Sequence, residues 1–124
     1  MQRLWCALAI GLLGCGGSIP ATGHDPLPES HRVSGEQAMR LVISGALLVD
    51  VSPHMEYAGR HLEGAINIPI TELQDRLHEL PRDRPIVVYS RDGEDAPQAD
   101  LVLRAAGFDV HVLGAFDRWH ARGV

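Results

Sequence analysis

Lysine is absent from this chain: all 11 basic residues are arginine, against 16 acidic residues, for a formal charge of −5. No basic run occurs, which argues against a nucleic-acid partner. Thiols are almost as scarce. Cys6 and Cys15 are the only two, so the chain after position 15 has none. That excludes a disulfide framework, a cysteine-based metal site and a cysteine nucleophile from everything downstream. Long apolar runs are missing as well. The apolar segment Leu4–Leu13 extends, counting on through the glycines to Gly17, to 14 residues, short of the ~20 that a membrane-spanning helix needs. What is present, 45% hydrophobic and 22% charged residues over 124 positions, is enough for one packed domain and too apolar for wholesale disorder.

The N-terminus reads as an address. Arg3 is followed by the apolar segment Leu4–Leu13, the charge-then-apolar order of an export signal. Cys6 lies inside that segment as a small hydrophobe. Leu12-Leu13-Gly14-Cys15 resembles the lipobox of bacterial lipoproteins. The resemblance implies a signal over 1–14, lipidation of Cys15, and a membrane as the first partner. Several acyl chains on one residue anchor stably where a single chain does not. Gly16 stands where an Asp would favour inner-membrane retention in a Gram-negative cell, so the expectation is an extracytoplasmic domain with the outer membrane favoured. Residues 15–32, rich in Gly, Pro and Ser, read as a flexible tether, and 33–124 as the folded domain.

From Val33 onward helix and strand signals alternate. Ser34 with Gln37 forms a capping box opening a helix that puts Ala38, Leu41 and Val42 on one face, with Gly45 at its end. Leu47–Val51 reads as a buried strand, His54–Arg60 as a short helix, and Ala65–Ile68 as a strand stopped by Pro69. Thr71 with Gln74 suggests a second capping box, on a helix lined by Leu73, Leu77 and Leu80. Ile86–Tyr89 is the most apolar strand, Ser90–Asp95 a loop, and Ala96–Ala106 a helix with Pro97 near its start and Gly107 after its end. Val110–Leu113 is a last strand and Phe116–Arg122 a last helix. Strands separated by helical crossovers predict an α/β fold with a parallel sheet. The carboxyl ends of its strands bring Asp50–Ser52, Ser90–Asp95 and Gly114 to one rim.

Those residues carry a family resemblance. The stretch from Asp50 through Glu56, Tyr57, Arg60, His61, Leu62, Gly64 and Asn67 to Pro69, the strand and six-residue loop Ile86–Asp95, and Gly114-Ala-Phe116-Asp-Arg-Trp119 resemble, in order, three motifs of rhodanese-like domains. The resemblance implies a rhodanese-like three-layer fold, a small parallel sheet flanked by helices. It also implies a chemistry in which a Cys at the first loop position carries sulfane sulfur from a donor such as thiosulfate. Here that position is Ser90, followed by Arg91, Asp92, Gly93, Glu94 and Asp95, with Asp where the family often ends the loop on Arg. A serine hydroxyl supplies no sulfur and is a weak nucleophile without a base. Three carboxylates against Arg91 oppose an anionic substrate.

The expectation is therefore a catalytically inactive module, with no cofactor or metal, that binds a ligand or an envelope partner. Two enzymatic alternatives stay open: a thiosulfate sulfurtransferase-like enzyme, and a Ser90-dependent hydrolase using His54 or His61 as base. A cysteine-dependent phosphatase fails on both its Cys and its Arg. Asp95, just before Pro97, is expected to cap the following helix and close the loop on itself. Asp50 is read as a buried structural carboxylate, and Ser52 as the loss of an Arg-based loop clamp. Arg60 is expected at the surface, Phe116 and Trp119 in packing, and Gly64, Gly107 and Gly114 at special backbone conformations. The histidines at 24, 31, 54, 61, 78, 111 and 120 form no close ligand pair, and His24 and His31 fall in the tether.

Overall fold

The computed structural model describes residues 31–120. The expected signal, Cys15, the tether up to residue 30 and the end of the last helix lie outside the described residues. Helix α1 (Gly35–Ile43) opens with the expected capping box. The Ser34 side chain accepts from the Gln37 N–H at 3.1 Å, and Gln37 returns a bond to the Ser34 N–H at 2.8 Å. Strand β1 (Leu47–Asp50) leads to the short helix α2 (His54–Gly59), strand β2 (Ile66–Asn67) and helix α3 (Ile70–Leu73). A 3-10 segment, Gln74–Glu79, follows α3. Then come β3 (Ile86–Ser90), α4 (Ala96–Ala105), β4 (Val110–Ala115) and a 3-10 turn, Phe116–Trp119.

The four strands form one parallel sheet in the order β2-β1-β3-β4. Alternation along the strands sorts side chains onto two faces. Val49, Ile86, Val88, Val110 and Val112 pack with Leu73, Ala99 and Leu103 from α3 and α4. Leu48, Val87, Tyr89 and Leu113 pack on the other face with Ala38 of α1 and Phe116. All five residues of β3 are buried, as expected of a central parallel strand covered on both sides. This is the small, helix-flanked parallel sheet expected from the sequence.

Three local expectations are corrected. Thr71 is no N-cap: α3 begins two residues earlier than that cap would set it, after an extended Pro69, with no side-chain cap. The helix then tightens into the 3-10 segment around a non-helical Arg76 (φ −114°, ψ 15°), although Leu73 and Leu80 still reach the core. Strand β2 has two paired residues rather than four. Arg32, expected at the end of the tether, is paired with the sheet. Arg32 bridges Val112 in parallel, and the Val33 N–H donates to the Val112 carbonyl at 3.0 Å. Residues 32–33 thus lie along the free edge of β4.

Candidate functional site

The carboxyl ends of β1 and β3 bring Asp50, Ser52 and Ser90 to the same rim, and all three are only 1% exposed. Asp50 is held as expected: its carboxylate accepts the Ser52 N–H at 2.8 Å. Asn67 braces the turn from β2. Its side-chain amide donates to the Asp50 carbonyl at 2.9 Å and the Ser52 carbonyl at 3.0 Å. Ser52 forfeits no clamp, contrary to expectation. Its hydroxyl accepts the Arg91 N–H at 2.7 Å and fastens the first peptide of the 90–95 loop.

Within the loop, the Ser90 hydroxyl accepts the Asp95 N–H at 3.3 Å, and the Asp92 carboxylate accepts the Glu94 N–H at 3.0 Å. The amides of Arg91, Glu94 and Asp95 are therefore engaged by side-chain oxygens of the chain itself. Closure does not come from Asp95, whose expected capping role is corrected. Asp95 has helical backbone angles (φ −87°, ψ −17°) and no side-chain cap bond. A cap needs extended backbone to turn its oxygen back onto the first-turn amides, and Pro97 removes one of those amides. Gly93 takes φ +86°, and a Cβ there would stand 3.3 Å from the Ala115 Cβ. Only glycine fits that pairing of conformation and space.

The charges are arranged against an anion at the loop mouth. Asp92 and Glu94 are exposed and Asp95 is half-buried. The Arg91 guanidinium turns away to the Glu56 carbonyl of α2, at 3.4 Å. Neither histidine considered as a base bonds to Ser90. The His54 ring bridges the Asn67 side-chain carbonyl at 2.7 Å and the Glu72 carboxylate at 2.9 Å. His61 stacks on Tyr57 with centroids 3.9 Å apart and bonds the Tyr57 carbonyl at 2.9 Å. Arg76, followed by His54, holds the Glu72 carboxyl below its usual value.

Beneath the rim, the Tyr89 hydroxyl accepts the Leu62 N–H at 2.9 Å, and burial pushes the phenol well above its usual range. Arg60 is exposed as expected, with its guanidinium 4.4 Å from the centre of the Phe116 ring. Phe116 is buried in the core and Trp119 packs beside it. No group of three or more ligating side chains that could hold a metal occurs among the described residues, and no helix there is long and apolar enough to cross a membrane.

Two functional-looking groups were missed from the sequence. Asn67 was quoted in the strand and in the first motif without a role, yet it joins the β1 turn to His54. Asp100, only 1% exposed on α4, bonds Arg104 at 2.8 Å and lies 3.6 Å from His31. The Asp100–Arg104 spacing of four residues on an expected helix was the available signal.

The 47%-identical relative HTH-type transcriptional regulator Rv0324 of Mycobacterium tuberculosis aligns over 88 residues, 69% of this chain. The chain spans 39% of that regulator's length. The thiosulfate sulfurtransferase GlpE of Pseudomonas syringae is 32% identical over 95 residues, covering 75% of this chain and 90% of the enzyme. Among solved structures, the human single-domain sulfurtransferase TSTD1 superposes with a TM-score of 0.63 at 26% identity, over 76% of this chain and 98% of that one. The family model for the rhodanese-like domain matches residues 34–122, which takes in the sheet, the rim and the loop between β3 and α4. By that match and that fold, the chain belongs to the rhodanese-like domain family.

Proposed function

We propose that this chain is a rhodanese-like binding module without sulfurtransferase turnover, held outside the cytoplasm by lipid on Cys15. The carrying observation is the loop that closes on itself. Ser90 fills the position to which the family resemblance assigns the sulfur-carrying Cys, is 1% exposed, and has its hydroxyl engaged by the Asp95 amide. A persulfide needs a thiolate, and no thiol follows Cys15. Anion stabilisation needs free, preorganised donors, and the amides of Arg91, Glu94 and Asp95 are already engaged. The exposed carboxylates of Asp92 and Glu94 repel an anionic donor approaching the mouth. The lipid anchor is supported by Leu12-Leu13-Gly14-Cys15 behind an apolar segment. The occupant of the rim is a ligand or envelope protein that does not require sulfur transfer.

The decisive measurement is thiosulfate:cyanide sulfur transfer by the purified full chain in detergent. No turnover above buffer is expected, and turnover by the unaltered chain overturns the proposal. Ser90→Cys is expected to stay inactive because Ser52 and Asp92 still engage the Arg91 and Glu94 amides and the carboxylates at the mouth remain. If that single change gives turnover, the loop is an open cradle and closure is refuted. Fatty-acid labelling of the expressed chain, lost in Cys15→Ser, checks the anchor.

A further inference from the structure

Along β4, beside the 90–95 loop, lies a cavity of about 110 Å³ whose wall includes Arg32, Gly93, Pro97, Val112, Gly114 and Arg118. That is room for a few waters or one small polyatomic anion. The chain is net acidic, yet no carboxylate lines this cavity. Its two charged groups come from separate segments, Arg32 from the strand-like stretch on β4 and Arg118 from the 3-10 turn after it. Neither guanidinium makes an ion pair among the described residues. Arg118 is positioned by one bond, from Nη2 to the Val33 carbonyl at 3.3 Å, and its other nitrogens bond no acceptor among the described residues. Both side chains are open to solvent, so a ligand can reach them. Two arginines lining one dent bring two of the planar donor forks by which arginine holds an oxyanion.

We propose that this cavity binds a small oxyanion of the sulfate or phosphate type between Arg32 and Arg118, on walls that include neither Ser90 nor Arg91. The site does not use Ser90, so it holds whether or not the loop turns over. Because Gly93 belongs to both the cavity wall and the loop, occupancy is felt by the loop at that residue.

The test is a titration of the full chain in detergent with sulfate, thiosulfate and phosphate in separate arms, at fixed ionic strength against chloride, following backbone amide resonances. At least one of the three is expected to give saturable shifts at Gly93 and Gly114, and the arm that saturates first identifies the ligand within the class. Arg32→Gln and Arg118→Gln are each expected to weaken binding about tenfold. Arg40→Gln, on α1 and outside the cavity wall, is expected to leave it unchanged and controls for net charge. No saturable shift with any of the three anions overturns the proposal. So does binding that survives both substitutions, or a response centred on Arg91 and Glu56 at the loop mouth. If Arg118→Gln fails to fold, Arg32→Gln alone decides.

Discussion

The hydroxyl of Ser52 accepts the Arg91 N–H at 2.7 Å, joining two loops 39 residues apart in the chain. Replacing it by alanine leaves that partly buried N–H without its acceptor. Ser52→Ala is expected to cost about 1–3 kcal/mol in urea unfolding. It should also speed hydrogen exchange at the Arg91 amide more than at Glu94 or Asp95, whose acceptors lie within the loop.

Tyr89 gives an alkaline signature. Its phenol is raised above the ordinary value of 10, first by burial. The unfolded chain therefore ionises Tyr89 before the folded one does. The stability from this residue is fully present below pH 10 and falls as pH rises above it, until the native phenol ionises. Thermal melts at rising pH should show this decline, and Tyr89→Phe should flatten it. The same substitution should cost about 1–3 kcal/mol at neutral pH by orphaning the Leu62 N–H.

Two glycines in helices should respond oppositely to alanine. A Cβ on Gly35 would stand 2.2 Å from the Arg118 carbonyl oxygen and 2.6 Å from that of Trp119. Gly35→Ala must therefore push α1 off the final 3-10 turn, at about 1–3 kcal/mol. Gly59, at the end of α2, has nothing within 4 Å of its built Cβ. Gly59→Ala should stabilise by about 0.4–1 kcal/mol. Paired thermal melts check both signs.

The Asp100–Arg104 pair should be asymmetric. Arg104 bonds the Asp100 carboxylate at 2.8 Å and also donates to the Val110 carbonyl. Arg104→Met leaves a buried carboxylate without its counter-charge and should cost about 3 kcal/mol. Asp100→Asn keeps an acceptor on a partly exposed guanidinium and should cost about 1 kcal/mol. Equal losses in chemical denaturation would contradict this ordering.

The sheet and its helices were legible because their signals are local. Ser34 with Gln37 and the apolar runs Leu47–Val51 and Ile86–Tyr89 each declare an element without help from distant residues. Thr71 misled for a local reason too: its spacing to Gln74 fits a capping box, but the extended Pro69 starts the helix two residues sooner. The rim was half legible. That Ser90, Asp50 and Ser52 share one end of the sheet follows from strand order, and Asp50 was read correctly. That Ser52 and Asp92, rather than Asp95, would take up the loop amides was not legible. It depends on the tertiary approach of two loops and on Asp95 adopting helical rather than extended backbone angles. Asp100 was missed because an acid on an amphipathic helix reads as solvent-facing until the chain beside β4 covers it.

The stretch beside β4 has a mechanical consequence. Residues 32–33 run in the same direction as β4, so along this edge they point toward the end of the sheet that carries the 90–95 loop. A force applied at Arg32 along the axis of β4 would load the Val33–Val112 bond in shear, whereas one applied across that axis would peel it open.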